Sequence, residues 1–285
     1  MVLNIIYKII LLLILILYLI YLIICKNLKI CLKDNITLVT GLFNIKSKFK
    51  IDKYLNWVEN LLLLNASIVF FMDKDIANII RKKRPKIYEN KTIWIETSIS
   101  EFYAFQYIKD FIKSYEIDKE NSYHTISLYL IWAEKCNFLR KAIYHNYFQS
   151  KCFYWIDGGY FRKKYINKTI GWPSINKCIK DPRVLINSIR KVQDNEIKGL
   201  KQFNNSIYNE FIKKPNVAGG LFGGQVKYLI KFIDLYYKTI KIYIKHNMFI
   251  GKDQNIFAYI SYLNPNLVNL VHSGKWHYFI NYLSK

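Results

Sequence analysis

The feature that most restricts the possible folds is an alternation of short apolar segments with amphipathic helical segments. Predominantly apolar runs occur at residues 36–43, 67–73, 92–96 and 152–157, and residues 125–145 have helical character. Continuous apolar runs are typical of strands buried on both faces, as in parallel sheets that helices cover on each side. The sequence therefore predicts an α/β fold with three α/β/α layers and a mostly parallel central sheet.

The second half of the chain is less regular. We expect helices around residues 182–191 and 193–203, followed by a glycine-rich segment at 216–224. Four glycines within six residues of that segment indicate a close backbone approach or positive φ angles. A long amphipathic helix is predicted from Val226 onwards, and a further helix ends near Leu263.

The N-terminal region predicts a membrane anchor. Residues 9–25 are uncharged and apolar all round, and as a helix they would span about 26 Å. We expect an uncleaved anchor at residues 1–25, a stalk at 26–35 and one domain at 36–285, which gives a single-pass membrane protein. The orientation stays open. Lysines after the span favour a cytosolic domain, whereas single-anchor enzymes of the secretory pathway place theirs in the lumen.

The composition excludes several classes of protein. Hydrophobic residues make up 52% of the chain and charged residues 22%, which argues against disorder. Five cysteines form no C-x-x-C pair, and the odd number argues against a disulfide scaffold. The net charge of +23 is spread along the chain without an arginine-rich block. Compositional drift or general attraction to anionic partners therefore explains the charge better than a nucleic-acid surface, and we expect no nucleic-acid partner.

Several candidate site residues lie where predicted strands end, the edge at which sites in parallel sheets are found. They are Thr40, Gly41, Asp73 and Asp157. Asp157 precedes two glycines, and a carboxylate in such a turn can bind a divalent ion that bridges two phosphates. For an isolated aspartate, a role in a turn or a helix cap is the commoner alternative.

Four later features have equally ordinary alternatives. Gly219 and Gly220 could form a ligand-binding loop or a tight strand–helix connection. Asp253 could be a helix N-cap. His272 and His277 could be surface or core histidines.

The order of these features resembles that in GT-A glycosyltransferases, especially retaining enzymes of the glycogenin-like type. An acid ends a strand, a glycine-rich segment follows, and then come Asp253-Gln254 and an H-x-G-K run at residues 272–275. Residues 222–224 are also similar to the F-G-G segment of blood-group-type transferases.

A closer resemblance is to the HtrL/YibB family of bacterial and viral proteins, which is placed with nucleotide-sugar transferases largely by fold. The matching segments occur in order at residues 37–40, 54–61, 132–135, 153–162, 218–224 and 252–254.

The resemblance implies a membrane-anchored glycosyltransferase with a GT-A-like fold. It would move a sugar from a nucleotide-diphosphate sugar to a glycan, lipid or protein acceptor. Asp157 and His272 would hold a divalent metal, Mn²⁺ or Mg²⁺, although Gly159 stands where the family pattern has a second acid. Asp253 and Gln254 would be catalytic, with Asp253 facing the anomeric carbon. The residues that would contact the nucleotide sugar are Thr40, Gly41, Asp73, Lys135, Gly219, Gly220 and Lys275.

Two alternatives remain open from the sequence. The missing second acid is compatible with a degenerate transferase fold that serves as a non-catalytic binding or structural protein. The high positive charge is compatible with a tethered nucleic-acid binder, although the sequence contains no recognised nucleic-acid module.

Overall fold

The fold is built on a seven-stranded sheet. A computed structural model describes residues 35–163, 171–214 and 216–284. Its strands are β1 (Ile36–Leu42), β2 (Ser67–Met72), β3 (Thr92–Glu96), β4 (Cys152–Ile156), β5 (Val184–Ser188), β6 (Val217–Gln225) and β7 (Val268–His272). The spatial order is β3-β2-β1-β4-β6-β5-β7. Of these strands only β6 runs antiparallel to its neighbours, so the predicted mixed α/β fold with a mostly parallel sheet is confirmed.

Helices connect the strands. They are α1 (Ile51–Leu62), α2 (Lys74–Lys82), α3 (Ile108–Ile117), α4 (Ile126–His145), α5 (Ile175–Lys180), α6 (Asp194–Lys201), α7 (Asn205–Phe211), α8 (Val226–Lys245), α9 (Asp253–Leu263) and α10 (Phe279–Tyr282). Short 3₁₀ helices occur at Lys86–Lys91, Ile99–Glu101 and Tyr103–Tyr107.

Two hydrophobic cores cover the two faces of the sheet. One contains the apolar faces of α4, α8 and α9, and the other contains those of α1, α2 and α10. All six residues of β2 are buried, which explains why this strand is apolar without alternation. The helix ends follow ordinary capping chemistry. The hydroxyl of Thr125 accepts a hydrogen bond from the amide of Leu128 at the start of α4, and Asn146 ends α4 in the left-handed region with φ 39°.

The second half of the chain contains two departures from the sequence-based expectations. Residues 182–191 were expected to be helical, but they contain β5, because a short apolar run does not distinguish a strand from a helix. The glycine-rich segment forms β6, whose glycines have no positive φ. Their close backbone approach is real: a Cβ at Gly223 would lie 2.2 Å from the carbonyl oxygen of Phe153 on β4.

The described part of the chain contains one disulfide, which is not a disulfide scaffold but was not predicted from the cysteine count. Cys152 at the start of β4 is bonded to Cys178 in α5, while Cys136 is a buried free cysteine. The two bonded residues are 26 positions apart, so no local spacing motif marks them.

The predicted anchor at residues 9–25 lies outside the described residues. Within the part that the structure describes, no helix is long and apolar enough to cross a membrane. The carbonyl of Asn35 accepts hydrogen bonds from the amides of Lys151 and Cys152. The described chain therefore enters the sheet at the amino ends of β1 and β4.

Candidate active site

The fold places a cavity at the point where the strand order reverses. From β1 the chain proceeds outward to β2 and β3, and it then returns to form β4 on the other side of β1. Such a reversal leaves a crevice at the carboxyl ends of the two central strands. A cavity of about 490 Å³ lies there and is lined by Gly41 near the carboxyl end of β1 and by Asp157 directly after β4. Its volume falls within the usual range for small-molecule sites.

The cavity floor is a buried ammonium between two carboxylates. Nζ of Lys135 lies 3.0 Å from Oδ1 of Asp157 and 2.8 Å from Oδ2 of Asp253, and it donates a hydrogen bond to the carbonyl of Gly219 at 3.2 Å. The cluster is formed by residues of α4, α9 and β6 and by the residue that directly follows β4. The side chain of Lys135 is only 3% exposed, so its charge depends on these partners.

Burial and ion pairing act in opposite directions on the charged groups of this cluster. Burial alone would lower the pKa of Lys135, but the carboxylates of Asp157 and Asp253 outweigh it and raise that pKa. Burial raises the pKa of Asp253, and the nearby charge of Asp157 adds to this effect against the attraction of Lys135. Lys135 is therefore held as an ammonium ion at neutral pH.

The two carboxylates differ in accessibility. The side chain of Asp157 is 39% exposed, and its Oδ1 also accepts a hydrogen bond from the indole nitrogen of Trp155 at 2.7 Å. The side chain of Asp253 is 6% exposed, and its Oδ1 accepts from the amide of Gln254 at 2.7 Å. Asp157 is thus the carboxylate that presents more of its surface to a ligand.

The glycines of β6 make room for these carboxylates. A Cβ at Gly219 would lie 2.9 Å from Oδ2 of Asp253, and one at Gly220 would lie 3.0 Å from Oδ2 of Asp157. Both contacts are closer than side chains normally tolerate, so the absence of a Cβ allows β6 to pass beside both acids.

One wall of the cavity is aromatic. The rings of Phe49 and Tyr54 pack edge-to-face on Trp57, with centroids 5.3 and 5.4 Å away. The guanidinium of Arg162 lies 4.9 Å from the Trp57 ring centroid, and Nζ of Lys48 lies 5.9 Å from that of Phe49. The wall therefore combines flat apolar surfaces with exposed cations.

The C-terminal segment closes another side of the cavity through Trp276 and His277. The carbonyl of Trp276 accepts a hydrogen bond from the hydroxyl of Tyr160, and the ring of His277 lies 5.1 Å from the Tyr160 ring. Burial lowers the pKa of His277, the nearby Arg162 lowers it further, and Asp157 opposes the change. His277 is therefore mainly neutral at pH 7.

A second charged cluster lies at the cavity edge. One ligand atom from each of Asp118, Glu120 and His124 lies within 4.8 Å of the others, so this group could hold a metal ion. These atoms also have protein partners. Asp118 accepts hydrogen bonds from His124 and Tyr129, and the ammonium of Lys252 contacts Glu120 and lies 3.8 Å from Asp118. Despite the cost of burial, these hydrogen bonds lower the pKa of Asp118 to about 2.

The structure brings together most of the residues that the sequence suggested. Those that line the cavity are Gly41, Lys135, Asp157, Gly219, Gly220, Asp253 and Gln254.

Four suggested residues are not part of the cavity lining. Thr40 is buried within β1, and the carboxylate of Asp73 caps α2 by accepting from the amide of Ile76. His272 ends β7 beside Ser188 and is exposed, as is Lys275.

The expected metal site therefore keeps only one of its two expected donors, Asp157. His272 does not line the cavity with Asp157, and Gly159 supplies no carboxylate. Oδ1 of Asp157 is already shared by Lys135 and Trp155, and Asp253 is buried against Lys135. The residues present around Asp157 do not fit the Mn²⁺ or Mg²⁺ site that the resemblance implied.

Sequence reasoning missed several lining residues. They include Trp57, Arg162, Trp276 and His277. Trp57 and Arg162 belong to segments that carried the family resemblance, which was the available signal for them. His277 was considered only as a surface or core residue, because the family pattern pointed to His272 instead.

Comparisons with known proteins agree on the family. A family model described as "Bacterial protein of unknown function (HtrL_YibB)" matches residues 34–283. The chain is 24% identical to Protein HtrL of Escherichia coli strain K12 over 278 residues, which covers 86% of this chain and 91% of that protein.

Among solved structures, 4-diphosphocytidyl-2C-methyl-D-erythritol synthase from Anaerococcus prevotii aligns with 90% of this chain and 96% of its own, at 10% identity and a TM-score of 0.34. A TM-score this low does not establish a shared fold. The family model, in contrast, spans nearly all of the described residues in one continuous match. The chain therefore belongs to the HtrL/YibB family.

Proposed function

We propose that this protein is a glycosyltransferase with a GT-A-like fold that transfers a sugar from a nucleotide-diphosphate sugar to a glycan, lipid or protein acceptor. The observation that carries the proposal is the cluster of Lys135, Asp157 and Asp253 on the floor of a cavity at the strand-order reversal. Buried, mutually opposed charges in such a cleft are characteristic of functional sites. The resemblance to nucleotide-sugar transferases, in the order of the motifs up to Asp253-Gln254, supports the same chemistry.

The charges of the cluster suit glycosyl transfer. Two carboxylates and one ammonium leave one net negative charge on the cavity floor. When the bond to the leaving diphosphate breaks, the anomeric carbon gains oxocarbenium character, and a fixed negative charge nearby stabilises it. The hydrogen bonds and ion pair that hold Asp157 in place keep this charge oriented before the reaction begins.

The two acids take different roles in this proposal, and these replace the expectation that Asp253 faces the anomeric carbon and Asp157 holds a metal. Asp157 has the larger accessible surface and faces the sugar, whereas Asp253 is buried and holds Lys135. Gln254 lines the cavity and has a side-chain amide able to bind sugar hydroxyl groups. The acceptor then attacks the anomeric carbon directly, and its proton and the leaving nucleoside diphosphate depart to solvent.

We also propose that residues 1–25 anchor the domain of residues 36–285 in a membrane. The support is the uncharged run at residues 9–25. Residue 35 enters the sheet at the amino ends of the parallel strands, opposite the cavity. An anchored domain would therefore be attached by the side that faces away from the cavity. Carbonate extraction of membranes from cells that express the chain tests this anchor, since an integral protein stays in the pellet.

A donor screen tests the proposed activity. The full-length chain is incubated with uridine, guanosine and cytidine nucleotide sugars, with and without manganese, and release of the nucleotide is measured. We expect slow hydrolysis of at least one donor, because water can replace the acceptor. Binding of a nucleotide sugar without any turnover, even with candidate acceptors, would favour the non-catalytic alternative.

The Asp157→Asn variant is the matched control for that screen. We expect it to lose at least about 100-fold in turnover, because the charge facing the sugar is removed. Its melting temperature should change little, since Lys135 keeps its ion pair with Asp253. Unchanged turnover would remove Asp157 from the mechanism.

A further inference from the structure

Gly159 stands where the family pattern has a second acid, and what its surroundings imply for the donor rests on the proposed function. A Cβ at Gly159 would lie 3.1 Å from Cε3 of Trp57 and 3.2 Å from Cδ1 of Tyr54. A carboxylate at this position would press against the aromatic wall. The aromatic wall therefore leaves no room for an aspartate at position 159, and this chain has the wall.

The position between the two acids is occupied by the ammonium of Lys135. Oxygen atoms of Asp157, Asp253 and the Gly219 carbonyl surround Nζ of Lys135 at 2.8 to 3.2 Å. Carboxylate and carbonyl oxygens are the ligands that Mg²⁺ and Ca²⁺ use in proteins. Here a lysine ammonium occupies the centre of that oxygen set and neutralises one of its two negative charges.

A second lysine ammonium lies beside two carboxylates at the cavity edge. The ammonium of Lys252 contacts Glu120 and lies 3.8 Å from Asp118, while Asp118 also accepts from His124 and Tyr129. A metal ion bound there would have to displace a fixed lysine and compete with these hydrogen bonds. Both acidic clusters of the cavity thus carry their own cation.

Two cations of the cavity lining remain available to bind an anionic ligand. Arg162 and Lys48 are exposed and line the cavity, where they lie against the aromatic wall. Throughout the residues that the structure describes, neither forms an ion pair with a carboxylate. A guanidinium can bind two oxygens of a phosphate at once.

We propose that the cavity binds the diphosphate of its donor through Arg162 and Lys48 and without a divalent metal ion. Lys135 takes the place of the ion between the acids, and the two exposed cations neutralise the charge that develops on the leaving diphosphate. The aromatic wall keeps the guanidinium of Arg162 at the rim, where an approaching diphosphate would meet it.

Calorimetric titration of the full-length chain tests this. The probes are UDP, GDP and CDP, each titrated in EDTA and in manganese, with uridine, guanosine and cytidine as phosphate-free controls. We expect at least one diphosphate to bind in EDTA, with an affinity within about threefold of that in manganese. Arg162→Gln should weaken that binding by about tenfold, as expected when a charged hydrogen bond is lost. It should leave the weak affinity for the nucleoside unchanged.

Matched variants sharpen the test. Lys163 is exposed, adjacent in sequence and outside the cavity lining, so Lys163→Gln should bind like the unmodified chain. Lys48→Gln should weaken diphosphate binding less than Arg162→Gln, because a lysine makes only single contacts.

The outcomes separate this inference from the proposed function. Diphosphate binding that appears only with manganese overturns the inference and leaves the donor site intact. If Glu120→Gln then abolishes that binding, the metal lies at the edge cluster. Equal binding by the Arg162→Gln, Lys163→Gln and unmodified chains also overturns it. Absence of binding under every condition overturns both proposals.

Discussion

At the scale of single residues, Lys135 connects stability with function. It is the residue that allows the carboxylate of Asp253 to remain beside a hydrophobic core, since that buried group would otherwise lose its hydration without gaining an ion pair. The cluster contains no second cation, so its net charge remains −1. That imbalance is the property that the proposed reaction needs.

Removing the ammonium should therefore destabilise the fold. We expect Lys135→Met to lower the free energy of unfolding by about 3–5 kcal/mol, because Asp253 would remain as a buried, unpaired acid. Urea denaturation followed by fluorescence measures the change.

The double variant Lys135→Met with Asp253→Asn is the control for this prediction. Neutralising the acid removes the unpaired charge, so a substantial part of the lost stability should return. If the single variant is as stable as the unmodified chain, or if the double variant is no better than the single, the ion pair is not what stabilises the site.

The sequence revealed this cluster only in part. Asp157 was found from its place at the end of an apolar strand, and Asp253 from its pairing with Gln254. Lys135 is one of many lysines and became a candidate only through the family resemblance, because its partners lie 22 and 118 positions away. His277 was missed for a related reason: the turn after β7, not the spacing of a motif, decides which histidine reaches the cavity.

At the scale of elements, β6 shows how one strand serves both packing and chemistry. It runs antiparallel between β4 and β5, and its glycines face different neighbours along its length. Near its start, Gly219 and Gly220 abut the two acids. Near its end, Gly223 abuts the backbone of β4.

The same substitution should therefore have different effects at two positions of β6. Gly219→Ala places a methyl group 2.9 Å from Oδ2 of Asp253, so we expect it to displace the carboxylate and reduce donor turnover by about tenfold or more. Gly223→Ala places one 2.2 Å from a backbone oxygen, so we expect a loss of about 2–3 kcal/mol of stability.

Parallel measurements of donor hydrolysis and thermal unfolding distinguish the two effects. The prediction fails if Gly223→Ala melts like the unmodified chain. It fails equally if Gly219→Ala retains full turnover.

Most helices and strands were predictable from the apolar residues in their sequence. The helices α4 and α8 and the strands β1 to β4 follow directly from apolar spacing. Strand β5 was expected to be helical, because a short apolar run fits a strand and a buried helix segment equally well. Strand β6 reads as a loop because glycine has low strand propensity, and only its position between two strands overrides that preference.

At the scale of the whole molecule, the long helix α8 shows where part of the excess positive charge lies, on the solvent face of an amphipathic helix. On α8 the exposed lysines are Lys227, Lys231, Lys238, Lys241 and Lys245. They lie three, four or seven residues apart, opposite the apolar stripe that packs on the sheet. This part of the charge is the polar side of an amphipathic helix rather than a separate nucleic-acid module.

The disulfide joins the centre of the sheet to a helix of the second half of the chain. Because Cys152 and Cys178 close a loop across 26 positions, we expect reduction to lower the free energy of unfolding by about 3 kcal/mol. Urea denaturation with and without a reductant measures this difference. Cys178→Ser should unfold at the same urea concentration in either condition, and a reductant effect that persists in this variant would assign the stabilisation elsewhere.

The state of the same cysteine pair in cells also bears on the orientation of the membrane anchor. Disulfides persist in oxidising compartments, whereas lysines after an anchor favour a reducing, cytosolic side. We expect Cys152 and Cys178 to resist alkylation when cells are lysed and unfolded without a reductant, with Cys136 as the alkylated internal control. Resistance places the domain on the oxidising side of the membrane. Alkylation of all three would mean that the domain works with this bond reduced, and the charge rule would then decide its orientation.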